Sequence, residues 1–316
     1  MKITTLIPGY KTTYLFDVLH ALRYQTVKPQ RVIISDDSPN QAFVHILQDP
    51  SLRTALGDLK IETILGPRTG GWDNAKHLFK YWGGSTELFH LLLDDDYIYP
   101  DFYQRHIQAH EAGDFECSVS RRWTARDTGQ PVEGLPLPPV VADHPHRVVS
   151  LDPAVLFFTT VGNSTNWLGE FSNAVFKAGM CEPISHASMG GISYRGLEDL
   201  GAFLTAGTVK PLCFINENLG YFRKHQNQNS ALPNGRPMKM AFLAYIALAL
   251  AARRIGKLSP AQVSARLAAA CPMIVQYYTG QPDLAGFCQL MPTLATGDAA
   301  AEQAFLELWQ AYVNQG

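Results

Sequence analysis

Three successive carboxylates, Asp94-Asp95-Asp96, carry the clearest chemical potential in this chain. They follow the apolar run Leu88-Phe89-His90-Leu91-Leu92-Leu93 and precede Tyr97-Ile98-Tyr99-Pro100. Like charges this close repel, and burying them without a cation costs on the order of several kcal/mol. A hard divalent cation, Mg²⁺ or Mn²⁺, relieves the conflict, takes oxygen ligands and keeps positions open for phosphate oxygens. The alternative is a solvated acidic turn. A second acidic pair, Glu198-Asp199, stands where a helix is expected to begin. Carboxylates there either stabilise the helix end or stand ready to take a proton from a hydroxyl group. His106 and His110 have the four-residue spacing of zinc ligands, but no H-E-x-x-H pattern and no third ligand accompany them. An exposed helix face is the expectation for both.

The acidic triplet needs an element to aim it, and the pattern supplies one. Short apolar runs at Ile3–Ile7, Val32–Ile34, Ile61–Leu65 and Leu88–Leu93 read as buried strands. Helical spacing separates them: Leu15, Val18, Leu19 and Leu22 after a cap at Thr12 or Thr13, then Gln41–Leu47, then Asn74–Tyr81. Continuous apolar strands alternating with helices predict a mostly parallel sheet covered on both faces. Ligands of such sheets bind beyond the carboxyl ends of the strands. A polar cluster stands at each of those ends: Pro8-Gly9-Tyr10, Ser35-Asp36-Asp37-Ser38, the stretch from Gly66-Pro67 to Asn74-Ala75-Lys76, and the Asp triplet. One site assembled from four segments is therefore expected. The Pro-rich stretch 121–149 reads as an irregular excursion, 154–160 and 174–176 as strands, and a helix is expected from Leu197. Beyond Pro233, Asn234, Gly235 and Pro237 the chain is Ala- and Leu-rich, with Phe242, Leu243, Ile246 and Leu250 at helical spacing. The expected division is residues 1–232, an α/β domain, and 233–316, a helical region.

With 46% hydrophobic residues the chain can build a substantial core, and its net charge of -2 argues against nucleic acid as a partner. Five cysteines, none in a C-x-x-C pair, read as reduced thiols. No secretion signal is expected, and the apolar stretch 240–252 is too short to span a bilayer. A cytoplasmic protein follows, with peripheral contact at the inner face of the membrane left open.

The segment Leu-Leu-Leu-Asp-Asp-Asp-Tyr-Ile-Tyr-Pro resembles the D-x-D region of family 2 glycosyltransferases, in particular bacterial surface-polysaccharide members. Further segments agree in the same order across residues 3–230. The resemblance implies a GT-A fold and a nucleotide-sugar donor, with UDP preferred. It implies that Pro8, Gly9 and Tyr10 border the base, that Asp36 and Asp37 contact uracil or ribose, and that Lys76 lies near the diphosphate. For Asp36 and Asp37 an Asx turn or helix cap is the competing explanation. It implies that Asp94 approaches the ribose beside Asp95, and that Asp94 and Asp96 belong to the metal site. Tyr221-Phe222-Arg223-Lys224-His225, with Asn229-Ser230, resembles the late segment whose His completes the metal shell. Glu198-Asp199 resembles the acceptor-side pair in which the Asp is the base.

The expected reaction is transfer of a sugar, with inversion, to a hydroxyl of a glycan or lipid-linked acceptor. Asp199 serves as base, Glu198 is its neighbour, and Mn²⁺ or Mg²⁺ stabilises the departing diphosphate. Arg121-Arg122-Trp123 lacks the upstream Gln of the Q-x-x-R-W motif and gives no support for a processive polymerase. A sugar nucleotidyltransferase would want a Gly- and Arg-rich loop after the first strand, which Pro8-Gly9-Tyr10-Lys11 does not provide. A binding module that keeps the fold without turnover stays open.

Overall fold

A computed structural model describes residues 1–225, 228 and 232–315. Two compact units emerge. The first comprises Met1–Leu151, Trp167–Ser185 and Ala206–His225; the second comprises Asp152–Asn166, His186–Thr205 and Gln226–Gly316. The strands in chain order are β1 (Ile3–Gly9), β2 (Arg31–Asp36), β3 (Ile61–Leu65), β4 (Leu88–Leu91), β5 (Tyr97–Ile98), β6 (Cys117–Ala125), β7 (Pro131–Gly134), β8 (Val148–Leu151), β9 (Ala174–Lys177), β10 (Ser188–Met189), β11 (Ile192–Ser193) and β12 (Leu212–Arg223).

The first unit is built on one sheet of order β3-β2-β1-β4-β9-β6-β12-β5, with β7 added on β6 and β8 on β12. The expected parallel core is β3-β2-β1-β4. β6 and β12 also pair in parallel, while β9 joins β4 to β6 in antiparallel fashion. Strand residues on both faces are buried, as continuous apolar runs require. On one face Ile3, Ile7, Val32 and Ile34 share a core with Val18, Leu19 and Leu22 of the helix Leu15–Arg23 and with Phe102 and Tyr103 of the helix Phe102–Ala112. On the other, the helix Gly71–Trp82 sets Phe79 and Trp82 against Phe89, which stacks on Phe176.

Several local expectations are corrected. β1 runs on through Pro8 and Gly9, in register with Ser35 and Asp36. The Lys2 and Leu6 carbonyls accept from the β4 side, and those of Ile3 and Gly9 from the β2 side. The N–H that Pro8 lacks thus falls on the β4 side, past the last β1–β4 pair, Leu6↔Leu91, and the proline costs the ladder nothing. Neither Thr12 nor Thr13 caps the first helix: a 3₁₀ turn, Thr12–Tyr14, leads into it instead. The stretch from Arg121 opens with strand: β6 continues to Ala125, and β7 and β8 lie within the Pro-rich region.

The segment 154–160 is not a strand but the helix Pro153–Thr159. Pro153 at its first position is pre-set for helix, and the Asp152 carboxylate caps it by accepting from Ala154 N at 2.7 Å. A short run of Val, Leu and Phe does not by itself distinguish strand from helix. His106 and His110 are buried rather than exposed, because their helix face packs on the sheet. Ser118 of β6 lies between them, its hydroxyl 2.7 Å from His106 Nδ1 and 3.0 Å from His110 Nε2.

The second unit is mostly helical: Pro153–Thr159, Arg236–Arg254, Pro260–Tyr278, Ala285–Leu294 and Ala299–Val313, with the β10–β11 hairpin. Leu243, Ile246 and Leu250 are buried as their spacing predicts, and Phe242 packs on Tyr277 and Tyr278. No described helix is long and apolar enough to cross a membrane.

Candidate active site

The carboxyl ends of β1 and β4 meet through one carboxylate. Asp94 Oδ2 accepts from the backbone N–H groups of Tyr10, at 2.6 Å, and Lys11, at 2.7 Å. Burial and the neighbouring Asp95 push its pKa up to about 6, against the pull of those two donors. Asp96 is almost fully buried. Its Oδ1 accepts from Arg223 N at 3.2 Å, and its Oδ2 makes no hydrogen bond. Burial, Asp95 and Glu170 hold its carboxyl well above the ordinary range. Asp95 Oδ2 meets His225 Nε2 at 3.0 Å.

β2 and β3 contribute an adjoining corner. Asp36 is spent on structure: Oδ1 accepts from Ser38 N at 2.9 Å and from Ser38 Oγ at 2.5 Å, and Oδ2 accepts from Val44 N at 3.0 Å. The turn-and-cap alternative is therefore realised at Asp36. Asp37 Oδ1 accepts from Arg68 N at 2.7 Å. Gly66 lies directly against that carboxylate, and a Cβ there would come within 2.2 Å of Asp37 Oδ1. Gly9 is similarly close-packed, with the Phe43 ring 3.0 Å from where a Cβ would stand. The Tyr10 side chain is exposed, while Lys76 is partly exposed and pairs with Asp73 at 2.6 Å.

Two arginines missed as site residues organise this end of the sheet. Arg223, at the end of β12, is 1% exposed. Its guanidinium donates to the Asp95 carbonyl at 3.0 Å, the Asp127 carbonyl at 2.5 Å and Asp17 Oδ2 at 2.7 Å, and lies 4.3 Å from the Tyr14 ring centroid. It thereby ties the acidic loop to the first helix and to the turn after β6. Arg122 grips Glu170 bidentately, at 2.8 and 2.6 Å, beside a cavity of ≈ 10 Å³ that Asp96 and Ser172 also line. That is about the size of one water. Arg223 lies two residues before His225 in the Tyr221–His225 segment; Arg122 lies in the rejected Arg121-Arg122-Trp123 motif, and nothing local marks Glu170, 48 residues on, as its partner.

Glu198 and Asp199 occupy the first turn of the helix Glu198–Val209. Both precede Ala206 and so belong to the second unit, whereas the other candidates belong to the first. Glu198 Oε1 accepts from Arg195 Nε at 3.0 Å. Asn229 and Ser230 lie outside the described residues.

The donor set suits a hard cation in chemistry. Asp96 Oδ2 is buried with no well-formed hydrogen bond, the Ser172 hydroxyl beside Asp96 offsets its charge only in part, and burial and the neighbouring carboxylates raise its proton affinity. It is not a ready-made cage: among the described residues no three His, Cys, Asp or Glu side chains are grouped to hold a metal. Magnesium-type sites commonly use one or two carboxylates and leave the remaining positions to water and phosphate.

No protein-family model and no curated protein sequence matches the chain. Solved structures do. The crystal structure of S. aureus TarS matches at TM-score 0.52 and 12% identity over 99% of this chain, which spans 55% of that one. TarS 1-349 in complex with UDP-GlcNAc matches at TM-score 0.53 and 11% identity, covering 99% of this chain and 92% of that one. TarS 1-349 in complex with UDP matches at TM-score 0.51 and 11% identity, covering 100% and 92%. At such identities the likeness is one of fold: α/β, GT-A-like, with a mostly parallel sheet flanked by helices and further helices toward the C-terminus.

Proposed function

We propose that the chain is a glycosyltransferase that moves a sugar from a UDP-linked donor to a hydroxyl of a glycan or lipid-linked acceptor, inverting the anomeric centre. The observation that carries this reading is the junction of β1 and β4. There a carboxylate at a strand end is fixed by two backbone N–H groups, two residues from a buried carboxylate whose Oδ2 has no well-formed hydrogen bond. The complexes of TarS with UDP-GlcNAc and UDP support the choice of donor within the shared fold.

Pro8, Gly9 and Tyr10 border the base, and Asp37, held against Gly66 and Arg68, faces the nucleoside. Asp94 and Asp95 address the ribose and the diphosphate end, with Lys76 supplying positive charge to the phosphates. Asp96, with Asp94, would hold Mn²⁺ or Mg²⁺, and His225 is the further candidate ligand. A bound cation would supply charge neutralisation for the leaving diphosphate. Asp199 takes the proton of the acceptor hydroxyl as that oxygen attacks, and Glu198, paired with Arg195, stands beside it.

The test is titration of UDP into the protein with MnCl₂ and with EDTA, together with hydrolysis of UDP-GlcNAc under the same conditions. Cation-dependent UDP binding and slow hydrolysis are expected. Failure of UDP to bind in either condition rejects the reading.

A further inference from the structure

A run of aromatic rings leaves the acidic loop along the edge of the first unit's sheet. Tyr97 and Tyr221 pair across β5 and β12, with rings parallel to within 6° and centroids 5.1 Å apart. Tyr99, two residues on from Tyr97, meets both edge-on at 6.2 and 6.3 Å. His20, on the helix Leu15–Arg23, has its Nδ1 3.1 Å from the Tyr97 hydroxyl and its ring 4.5 Å from that of Tyr24, one turn further on. At the other end, Arg223 donates to the Tyr221 hydroxyl at 3.2 Å and covers Tyr14, whose ring lies 5.6 Å from His225. The run is therefore continuous from Tyr24 to the Asp95–His225 pair.

These rings are not core. Tyr24 is 60% exposed, His20 is exposed, and Tyr97, Tyr99 and Tyr221 are half-buried. The surface combines apolar ring faces with hydroxyl rims, to which Phe16, exposed one turn before His20, adds a further apolar ring. Exposed carboxylates border it, Asp17 beside Arg223 and Asp127 at the Tyr14 hydroxyl, and both oppose anionic lipid. A pyranose ring has the matching chemistry, an apolar C–H face and a rim of hydroxyls.

We infer that this strip is the platform on which a neutral acceptor oligosaccharide lies, with Tyr24 and His20 marking its distal end. The inference rests on the glycosyl-transfer reading and names the acceptor's class. The strip leads the sugar chain toward Asp95 and spans several sugar units. Selectivity for an oligosaccharide over a monosaccharide follows, since each ring contributes a separate contact.

The experiment titrates cellohexaose, chitohexaose and maltohexaose into the full chain and into the His20→Ala/Tyr24→Ala variant, with UDP titrated into both in parallel. Vesicles of phosphatidylcholine and phosphatidylglycerol serve as a further arm. At least one hexasaccharide should bind the wild type in the millimolar range, about tenfold more weakly in the variant, while UDP affinity matches. Three results overturn the platform: no hexasaccharide binds, binding is equal in the variant, or the vesicles bind through these residues. Loss of UDP binding in the wild type defeats the glycosyl-transfer reading instead, and the sugar titration still decides the platform.

Discussion

At the scale of single residues, the carboxylates divide by what already satisfies them. Asp36 is saturated by Ser38 and Val44 and works as a structural acceptor. Asp94 is held by two N–H groups, and Asp96 keeps a buried oxygen with none. Asp94 and Asp96 both carry an electrostatic penalty that a ligand could remove, and Asp96 is the more deeply buried of the two. Asp96→Asn should therefore stabilise the protein without metal at neutral pH, by about 1–3 kcal/mol. It should also abolish the dependence of UDP affinity on Mn²⁺. Thermal melting and calorimetry of the same variant check both, and an unchanged cation dependence would remove Asp96 from the metal site. Asp199 makes a separate claim. A base acts in the transition state and need not touch the donor, so Asp199→Asn should lower kcat by about 10²–10⁴ and leave donor Kd intact. Asn also caps helices well, so a purely structural Asp199 predicts near-normal kcat. Glu198→Gln is the comparison, and a large loss there alone would move the base one residue earlier.

Elements were legible where the signal is local and obscure where the partner is remote. β1 to β4 could be read because each is an apolar run ending in a polar cluster, and the site at their carboxyl ends followed from sheet topology. The helix Pro153–Thr159 was misread because seven apolar-rich residues fit either period, and its Asp-Pro start was the overlooked cue. β6 was partly missed because its pairing with β12 joins residues nearly a hundred positions apart, as in Val119↔Phe214. The burial of His106 and His110 was hidden for the same reason: Ser118 and the Val175 carbonyl, which meet them, belong to other elements. The β2–β3 corner offers a test at this scale. The ends of these strands approach so closely that Gly66→Ala places a methyl carbon on the Asp37 carboxylate. The loss expected is about 1–3 kcal/mol of stability, with weaker UDP binding as Asp37 is displaced. Wild-type melting and UDP affinity in Gly66→Ala would show that this corner is not tightly packed and that Asp37 does not bind the nucleotide.

For the molecule as a whole, two sets of buried groups pull its pH dependence in opposite directions. Burial holds His90 at a pKa of about 3 and His110 at about 4, and lowers His106 well below the ordinary 6.5. Between those values the unfolded chain takes up protons that the fold refuses. The histidines' contribution is thus full above about pH 6.5 and is lost as pH falls toward 4. The carboxylates act oppositely. Asp94 titrates near 6 in the fold, and Asp96 well above the ordinary 3.8. Here the fold takes up protons that the unfolded chain has released, a gain that for Asp94 disappears as pH rises through 6. Near pH 5 the unfolded state therefore binds extra protons on the histidines while the fold binds extra protons on the carboxylates, so the two sets oppose each other. Removing the opposing carboxylates by Asp94→Asn/Asp96→Asn should steepen the rise of stability with pH in this range. A cation that binds the ionised triplet must compete with protons, so MnCl₂ should raise Tm by a few degrees at about pH 7.5 and hardly at all at about pH 5. Urea unfolding across this range, for wild type and the double variant, measures the slopes; melting with and without MnCl₂ measures the competition. Equal Mn²⁺ shifts at both pH values, or an unaltered slope in the double variant, would contradict the assignment of a proton-competing cation site to Asp94 and Asp96.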